Sequence, residues 1–470
     1  MSTAVEFAPW VVVDDDGNDV LVVDATRGAS YARLIPERDA FLGLLGKLRG
    51  ARPASGVAAL SADERRLLDE LRAARQLVEV GAPRPAWAEA HADGTPFLRN
   101  FVLEVPIGAD AAPATTAIDR ALSRLFASSR EIRGLVLRAL PGDAAPDWER
   151  IDHVLGHAVA ALQSACAQNS RAVPRWLCEV PVAPRHLSEE ALAMLERAGR
   201  CRIVVRAPDD GGPPSREDAE ACHRMADEGF ECIVDVRSSF DGDVEAAVAA
   251  WLGDGRCQAV RLTPDLARGG FAATSASVAD ARVDRGIQAM SAIAARLGNA
   301  VQRSQPWRSI LAAAFVPWPG TMGWSKSQAR IHVDADGRFA RSAAHARDGF
   351  FEPLERLLPT ADEWARHSDR DGRAIAGAAF AGSPDCGSCG FAALCDRYGS
   401  PEVDLALRHG RPDLAAAFAR LECEVRKDLH GRLLDSLREQ ARKLAAAGSF
   451  DHRTVVRFAP DTKDVTLETE

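Results

Sequence analysis

Between residues 98 and 300 the chain alternates short apolar runs with amphipathic stretches six times, and nothing else in it constrains the fold as much. The runs Phe101–Val105, Gly134–Leu137, Trp176–Val180, Arg202–Arg206, Cys232–Val236 and Ala259–Leu262 read as strands. Between them, Thr116–Phe126, Trp148–Gln168, Ser188–Ala198, Ser215–Glu228 and Val244–Leu252 read as helices, with Val278–Leu297 after the last strand. A strand–helix–strand unit closes as a right-handed parallel crossover. Six in series predict an α/β domain built as a partial or complete (β/α) barrel. A doubly wound sheet is the alternative use of the same units.

Smaller units flank this domain. Val11–Val13, Leu21–Val23 and Ser30–Leu34 read as strands separated by turn-forming residues. Two helical patterns follow, Arg38–Leu48 and Ala62–Leu77. The second opens with a capping box at Ser61 and sets Leu67, Leu68, Leu71 and Leu77 on one face. Strands followed by helices predict a winged-helix unit over residues 1–80, and the Ala/Pro/Gly-rich stretch 81–97 reads as a linker. Residues 301–447 look irregular until a closing helix, Leu421–Ala447, with Leu433, Leu434, Leu437 and Leu444 on one side. A tail, 448–470, ends the chain.

A net charge of −9 argues against a nucleic-acid backbone as partner. No apolar run reaches the ~18 residues that cross a bilayer, and the start carries no signal-peptide pattern, so a cytoplasmic protein is expected. There thiols stay reduced, and a cluster of them reads as metal ligands. Cys386, Cys389 and Cys395 form a C-x2-C-x5-C run, and Cys423 opens a helical stretch beyond it. Four thiolates with no vacancy suit either a [4Fe–4S] cluster or tetrahedral Zn, in a structural role. Cys166, Cys178, Cys201, Cys222, Cys232 and Cys257 are scattered singly and read as small buried hydrophobes. His153 and His157 share a helix face but read as packing rather than as a metal pair. Trp318 and Trp324 read as core of the cysteine-bearing region.

The order of winged helix, α/β barrel and cysteine-rich tail resembles radical SAM peptide maturases with a C-terminal SPASM domain and an N-terminal RiPP recognition element. Such proteins modify ribosomally made peptides. The stretch G-A-S-Y-A-R-L, two helices and Q-L-V-E-V resemble the recognition element, which is like the peptide chaperone of PQQ biosynthesis. The resemblance implies that Ser30, Tyr31, Ala32, Arg33 and Leu34 form an edge strand, beside helix Ala62–Leu77, to which a precursor's leader peptide adds. P-D-W-E-R-I at 146–151 and H-L-S-E-E-A-L at 186–192 resemble helix openings of the barrel.

The chain departs from the family where the family does its chemistry. The first strand of the family is followed by C-x3-C-x2-C, whose thiolates hold the cluster that cleaves S-adenosylmethionine. Here Val105 is followed by P-I-G-A-D-A-A-P-A-T-T, and no cysteine precedes Cys166. The resemblance therefore implies a barrel with no cluster for reductive cleavage. In the tail, Gly337 matches the SPASM glycine, but Ser342 and Gly399 stand where two cysteines would, and a third position falls near Trp324. The ligands of one SPASM cluster are thus missing together, while the four of the other remain as Cys386, Cys389, Cys395 and Cys423. The implied protein is a catalytically degenerate relative that holds one [4Fe–4S] cluster, with Zn as the alternative. It binds a precursor peptide and partners an active maturase. A barrel mouth used for non-radical chemistry, or a purely structural subunit, are the competing readings.

Overall fold

The structure is a computed structural model. It describes residues 5–457 apart from 8–10, 25–30, 51–59, 75, 80–99, 108–110, 129–131, 133, 141–145, 184–185, 198–200, 209–210, 254–256, 298–303, 305, 308–309, 312–327, 359–400 and 447–455. Linker 81–97, Trp318 and Trp324 lie outside the described residues.

The N-terminal unit comprises β1 (Val5–Phe7), β2 (Val11–Asp15), β3 (Val20–Asp24), β4 (Tyr31–Ile35), α1 (Arg38–Gly50), α2 (Ala62–Ala73) and β5 (Leu77–Glu79). The β2–β3 hairpin turns at Gly17, whose φ of 94° is open to glycine and strained for most other residues. Asp15 and Asp16 accept from the amides of Gly17 and Asn18 in that turn. The Ser61–Glu64 capping box forms as expected. Helix α2 is shorter than its periodicity predicts. Leu77 continues the apolar face in sequence, yet it lies on β5 and pairs opposite Phe7 of β1. A long-range backbone ladder takes precedence there over local helical propensity. Val20, Val22, Ile35, Phe41, Leu44, Leu67, Leu68 and Leu71 pack together as the core between the sheet and the two helices.

The main domain runs β6 (Asn100–Pro106), α3 (Ala112–Ser128), β7 (Gly134–Leu140), α4 (Trp148–Gln168), β8 (Arg175–Val182), α5 (Glu189–Arg197), β9 (Cys201–Arg206), α6 (Arg216–Asp227), β10 (Glu231–Ser238), α7 (Val244–Leu252), β11 (Ala259–Pro264) and α8 (Ala276–Leu297). Every expected strand and helix forms, within a few residues at each end. Two strands and three helices follow in the stretch that reads as irregular: β12 (Gln328–Val333), β13 (Phe339–Ala340), α9 (Ala343–Arg347), α10 (Leu354–Leu357) and α11 (Pro401–Arg408). The last helix, α12, spans Pro412–Ala446, and a short strand, β14, spans Val456–Arg457.

Strands β6 to β13 form a mixed α/β architecture with the helices, as one large sheet in the order β11-β10-β9-β8-β7-β6-β12-β13, while β14 joins the N-terminal sheet. All neighbours are parallel except β12 and β13. The order is sequential from β6 to β11, without the reversal that a doubly wound sheet requires. Strand side chains alternate between two faces. One face (Phe101, Leu103, Val105, Leu135, Leu137, Val180 and their neighbours) joins the helices in a single apolar core. The other face carries Glu104, Arg138 and Glu179, aligned across β6, β7 and β8.

Helix α12 ties the two units together. It lies along α8, where Gly286 permits the approach: a Cβ there would stand 3.1 Å from Leu421 and 3.0 Å from Phe240. Its distal half reaches the N-terminal hairpin. Arg438 donates to the carbonyls of Asp14 and Asp19 at 2.9 and 3.0 Å and pairs with both of their carboxylates. Arg442 binds Asp19 at 2.7 Å and Asp16 at 2.6 Å.

Candidate functional site

The inner layer of the main sheet is charged where parallel strands usually carry Val, Ile or Leu. Strand register sets His332, Glu104, Arg138, Glu179 and Arg202 side by side across β12, β6, β7, β8 and β9, and sets Asp235 beside Arg261 across β10 and β11. Glu179 is the hub. It accepts from Arg138 at 2.7 and 2.9 Å and from Arg261 at 2.8 and 3.0 Å, with Arg202 at 3.7 Å. Arg138 also binds Glu104, which has Arg330 and His332 each at 3.6 Å. Glu104, Arg138, Glu179, Arg261 and His332 are all buried.

Burial alone would raise the pKa of both glutamates. For Glu104, Arg330, Arg138 and His332 outweigh it, and for Glu179, Arg261, Arg138 and Arg202 do, so both carboxyls titrate far below the usual carboxylate range. Carboxylates pinned this way are weak bases at neutral pH, and the arginines beside them have no proton to give. The layer can orient or hold charge, but it is poorly suited to proton transfer.

The same shifts set an acid limit on the fold. Both glutamates bind protons more readily unfolded than folded. The stability they contribute is therefore complete well above the unfolded carboxyl pKa of ~4.3, and falls away as the pH drops below it. The urea midpoint is expected to hold between pH 7 and about 5.5 and to fall steeply below about 4.5. A midpoint unchanged down to pH 3.5 would contradict the assignment.

Of the peptide-docking residues expected from sequence, Tyr31, Ala32, Arg33 and Leu34 lie on β4, and Ser30 lies outside the described residues. The edge of β4 is not bare. One side pairs with β3, and on the other β14 runs antiparallel, with Val456 opposite Ala32 and Arg457 opposite Tyr31. An edge strand's unpaired amides and carbonyls accept any extended segment in reach, and α12, which packs against β4, delivers the tail to it. Register puts Leu34 beside Leu21 and Ala32 beside Val23, all buried. On the opposite face Arg33 reaches Glu70 of α2 at 3.5 Å.

Of the expected metal ligands, Cys386, Cys389 and Cys395 lie outside the described residues, and Cys423 is half-buried on α12. Ser342, which the resemblance sets at a ligand position, caps α9 instead. Its Oγ lies 2.9 Å from His345 Nδ1, and His345 Nε2 lies 3.1 Å from Asp404. Asp404 is also bound by Arg408 at 2.9 Å. His345 is fully buried with both ring nitrogens engaged, so this Ser–His–Asp chain pins α9 to α11 and offers no route to a substrate. His157 pairs with Asp119 at 3.0 Å, and His153 is exposed.

One grouping went unread in the sequence. Cys222 on α6, Cys232 on β10 and Cys257 just before β11 converge, with their sulfurs all within 4.8 Å of one another and all three residues buried. Their spacing fits no ligand motif, and only the pairing of β10 with β11 brings Cys257 to the other two.

No family model matches the chain, and no curated protein matches it. Among solved structures it is similar to SuiB of Streptococcus suis at 12% identity and a TM-score of 0.37, covering 87% of this chain and 97% of that one. It is similar to SuiB bound to precursor peptide SuiA at 10% identity and a TM-score of 0.38, covering 87% and 98%. It is also similar to dihydrodipicolinate synthase from Bacillus clausii at 11% identity and a TM-score of 0.29, covering 74% and 99%. No described helix is long and apolar enough to cross a membrane.

Proposed function

We propose that this chain is a non-catalytic, radical SAM/SPASM-like accessory protein of ribosomal peptide maturation. It captures a precursor's leader peptide on β4 and presents it to an active maturase. The observation that carries the reading is the β4–β14 ladder: β4 has its outer edge in strand-pairing geometry, and the occupant is a two-residue segment of the chain's own tail. A leader peptide would displace β14 and extend the ladder along the rest of β4, beside α2. The absence of any cysteine before Cys166 supports a barrel without reductive cleavage chemistry, and the self-neutralised inner layer supports a scaffold role. Cys386, Cys389, Cys395 and Cys423 would hold one closed [4Fe–4S] cluster, or Zn, and stiffen the C-terminal region around α12.

The test is a titration of the full chain with a fluorescently labelled leader segment of a precursor peptide encoded beside it. Binding in the micromolar range is expected. Deleting residues 448–470 should strengthen it by about three- to tenfold, the worth of one or two ladder hydrogen bonds in competition. No binding by either protein would sink the reading.

The inner charged layer favours a second reading, a barrel whose mouth acts on a small charged molecule. Turnover of S-adenosylmethionine or another small substrate by the chain alone would select it.

A further inference from the structure

We infer that Cys222, Cys232 and Cys257 form a structural site for a single thiophilic d10 cation, separate from the cysteines of the C-terminal run. Three sulfurs bound to one ion at ~2.3 Å stand roughly 3.8–4.0 Å apart. The observed spacing, all within 4.8 Å with Cys232 and Cys257 at 3.5 Å, brackets that value. A four-iron cluster places each cysteine on a different iron and spreads the sulfurs wider than one ion does. Soft thiolates select Zn and Cu(I) from among the common ions.

The backbone holds the ligands in place. Cys222 lies on the buried face of α6 with Ala221 and Met225. The turn into β10 passes through Gly229, at a φ of 82°, which folds Cys232 back beneath the helix. Gln258 then clamps Cys232 on both sides: its amide donates to the Cys232 carbonyl at 2.9 Å, and its side-chain oxygen accepts from the Cys232 amide at 2.7 Å. That clamp fixes Cys257, the preceding residue, against the pair.

The position explains what an ion would do. The site lies on the helix-facing side of the sheet, near the starts of β10 and β11, and β11 is the end strand of the sheet among the described residues. A bound ion would join α6, β10 and the approach to β11. It would stiffen the end strand of the sheet among the described residues. Because the sulfurs are buried, the ion must enter as the chain folds, and its binding adds directly to folding stability.

The test uses the full chain expressed in medium supplemented with zinc alone or copper alone, purified under reducing conditions. Metal content is measured by mass spectrometry for wild type, Cys232→Ala, Cys257→Ser and the control Cys166→Ala, a buried thiol outside the group. The expected result is one fewer zinc or copper ion per chain in Cys232→Ala and Cys257→Ser, with Cys166→Ala matching wild type. The supplement that restores the difference identifies the ion. If Cys232→Ala fails to fold, X-ray absorption on the wild-type protein gives an independent readout: three sulfur ligands are expected on the ion lost in Cys257→Ser. Equal metal content in all four proteins would overturn the site and leave three packed thiols. A Cys232–Cys257 disulfide in a non-reducing peptide map of the wild-type protein would overturn it as well.

Discussion

Replacing Glu179 with alanine is expected to cost about 3–5 kcal/mol, read as a drop in the denaturant midpoint at pH 7. The carboxylate pairs with two buried arginines at once, Arg138 and Arg261, and lies near a third, Arg202. Removing it leaves their charge in a site with little water to screen it, and leaving a buried charge unpaired is worse than never having placed the pair there. Glu179→Gln should cost less, because the amide oxygen still accepts from one guanidinium. Replacing Glu104, Arg138, Glu179 and Arg261 together by apolar residues of similar volume should recover much of the loss, because no member of the network is then left without its partner. A midpoint for Glu179→Ala within about 1 kcal/mol of wild type would show that the ion pairs are better solvated than their burial implies.

Arg438→Ala is expected to cost about 2–3 kcal/mol and to loosen the N-terminal unit from the rest of the protein. Arg438 is 3% exposed at its side chain, while Asp14 and Asp16 keep 34% and 28% exposure and can rehydrate, which holds the cost below that at Glu179. The stability loss alone would not distinguish detachment from general weakening. Small-angle scattering does: a larger radius of gyration at unchanged helical content is expected for Arg438→Ala, and a smaller change for Arg438→Lys, whose ammonium cannot reproduce the forked contact. An unchanged radius in both variants would show that α12 holds the hairpin without this arginine.

The main domain was legible because its signals are local. Each strand from β6 to β11 is a short apolar run, each helix has its own periodicity and often its own cap, and chain order fixes the pairing of neighbours. What stayed hidden depends on residues far apart in the chain. Leu77 extends a helical pattern, and only its pairing with β1 makes it a strand residue. The pairing of β12 with β6 joins Gln328 to Asn100, which no window of sequence contains. Glu104, Arg138 and Glu179 alternate with apolar residues as a solvent-facing row would, yet they face the inside of the sheet. Tyr31–Leu34 lies on a strand, as its pattern predicts, but the segment paired with it lies in the tail and no local rule connects the two. The three converging cysteines are legible only once β10 and β11 are paired.

The α12 helix has a consequence for how the chain would come apart. At 35 residues it is roughly 52 Å long by the rise of an α-helix, and it grips α8 at one end and the β2–β3 hairpin at the other. The first and last quarters of the polypeptide are thus fastened by contacts that do not pass through residues 81–97. A protease that cuts this stretch would sever the covalent chain and leave two fragments that co-migrate on a native column and separate only in denaturant. The nicked protein would remain one particle, held by a strut made from its own C-terminal end.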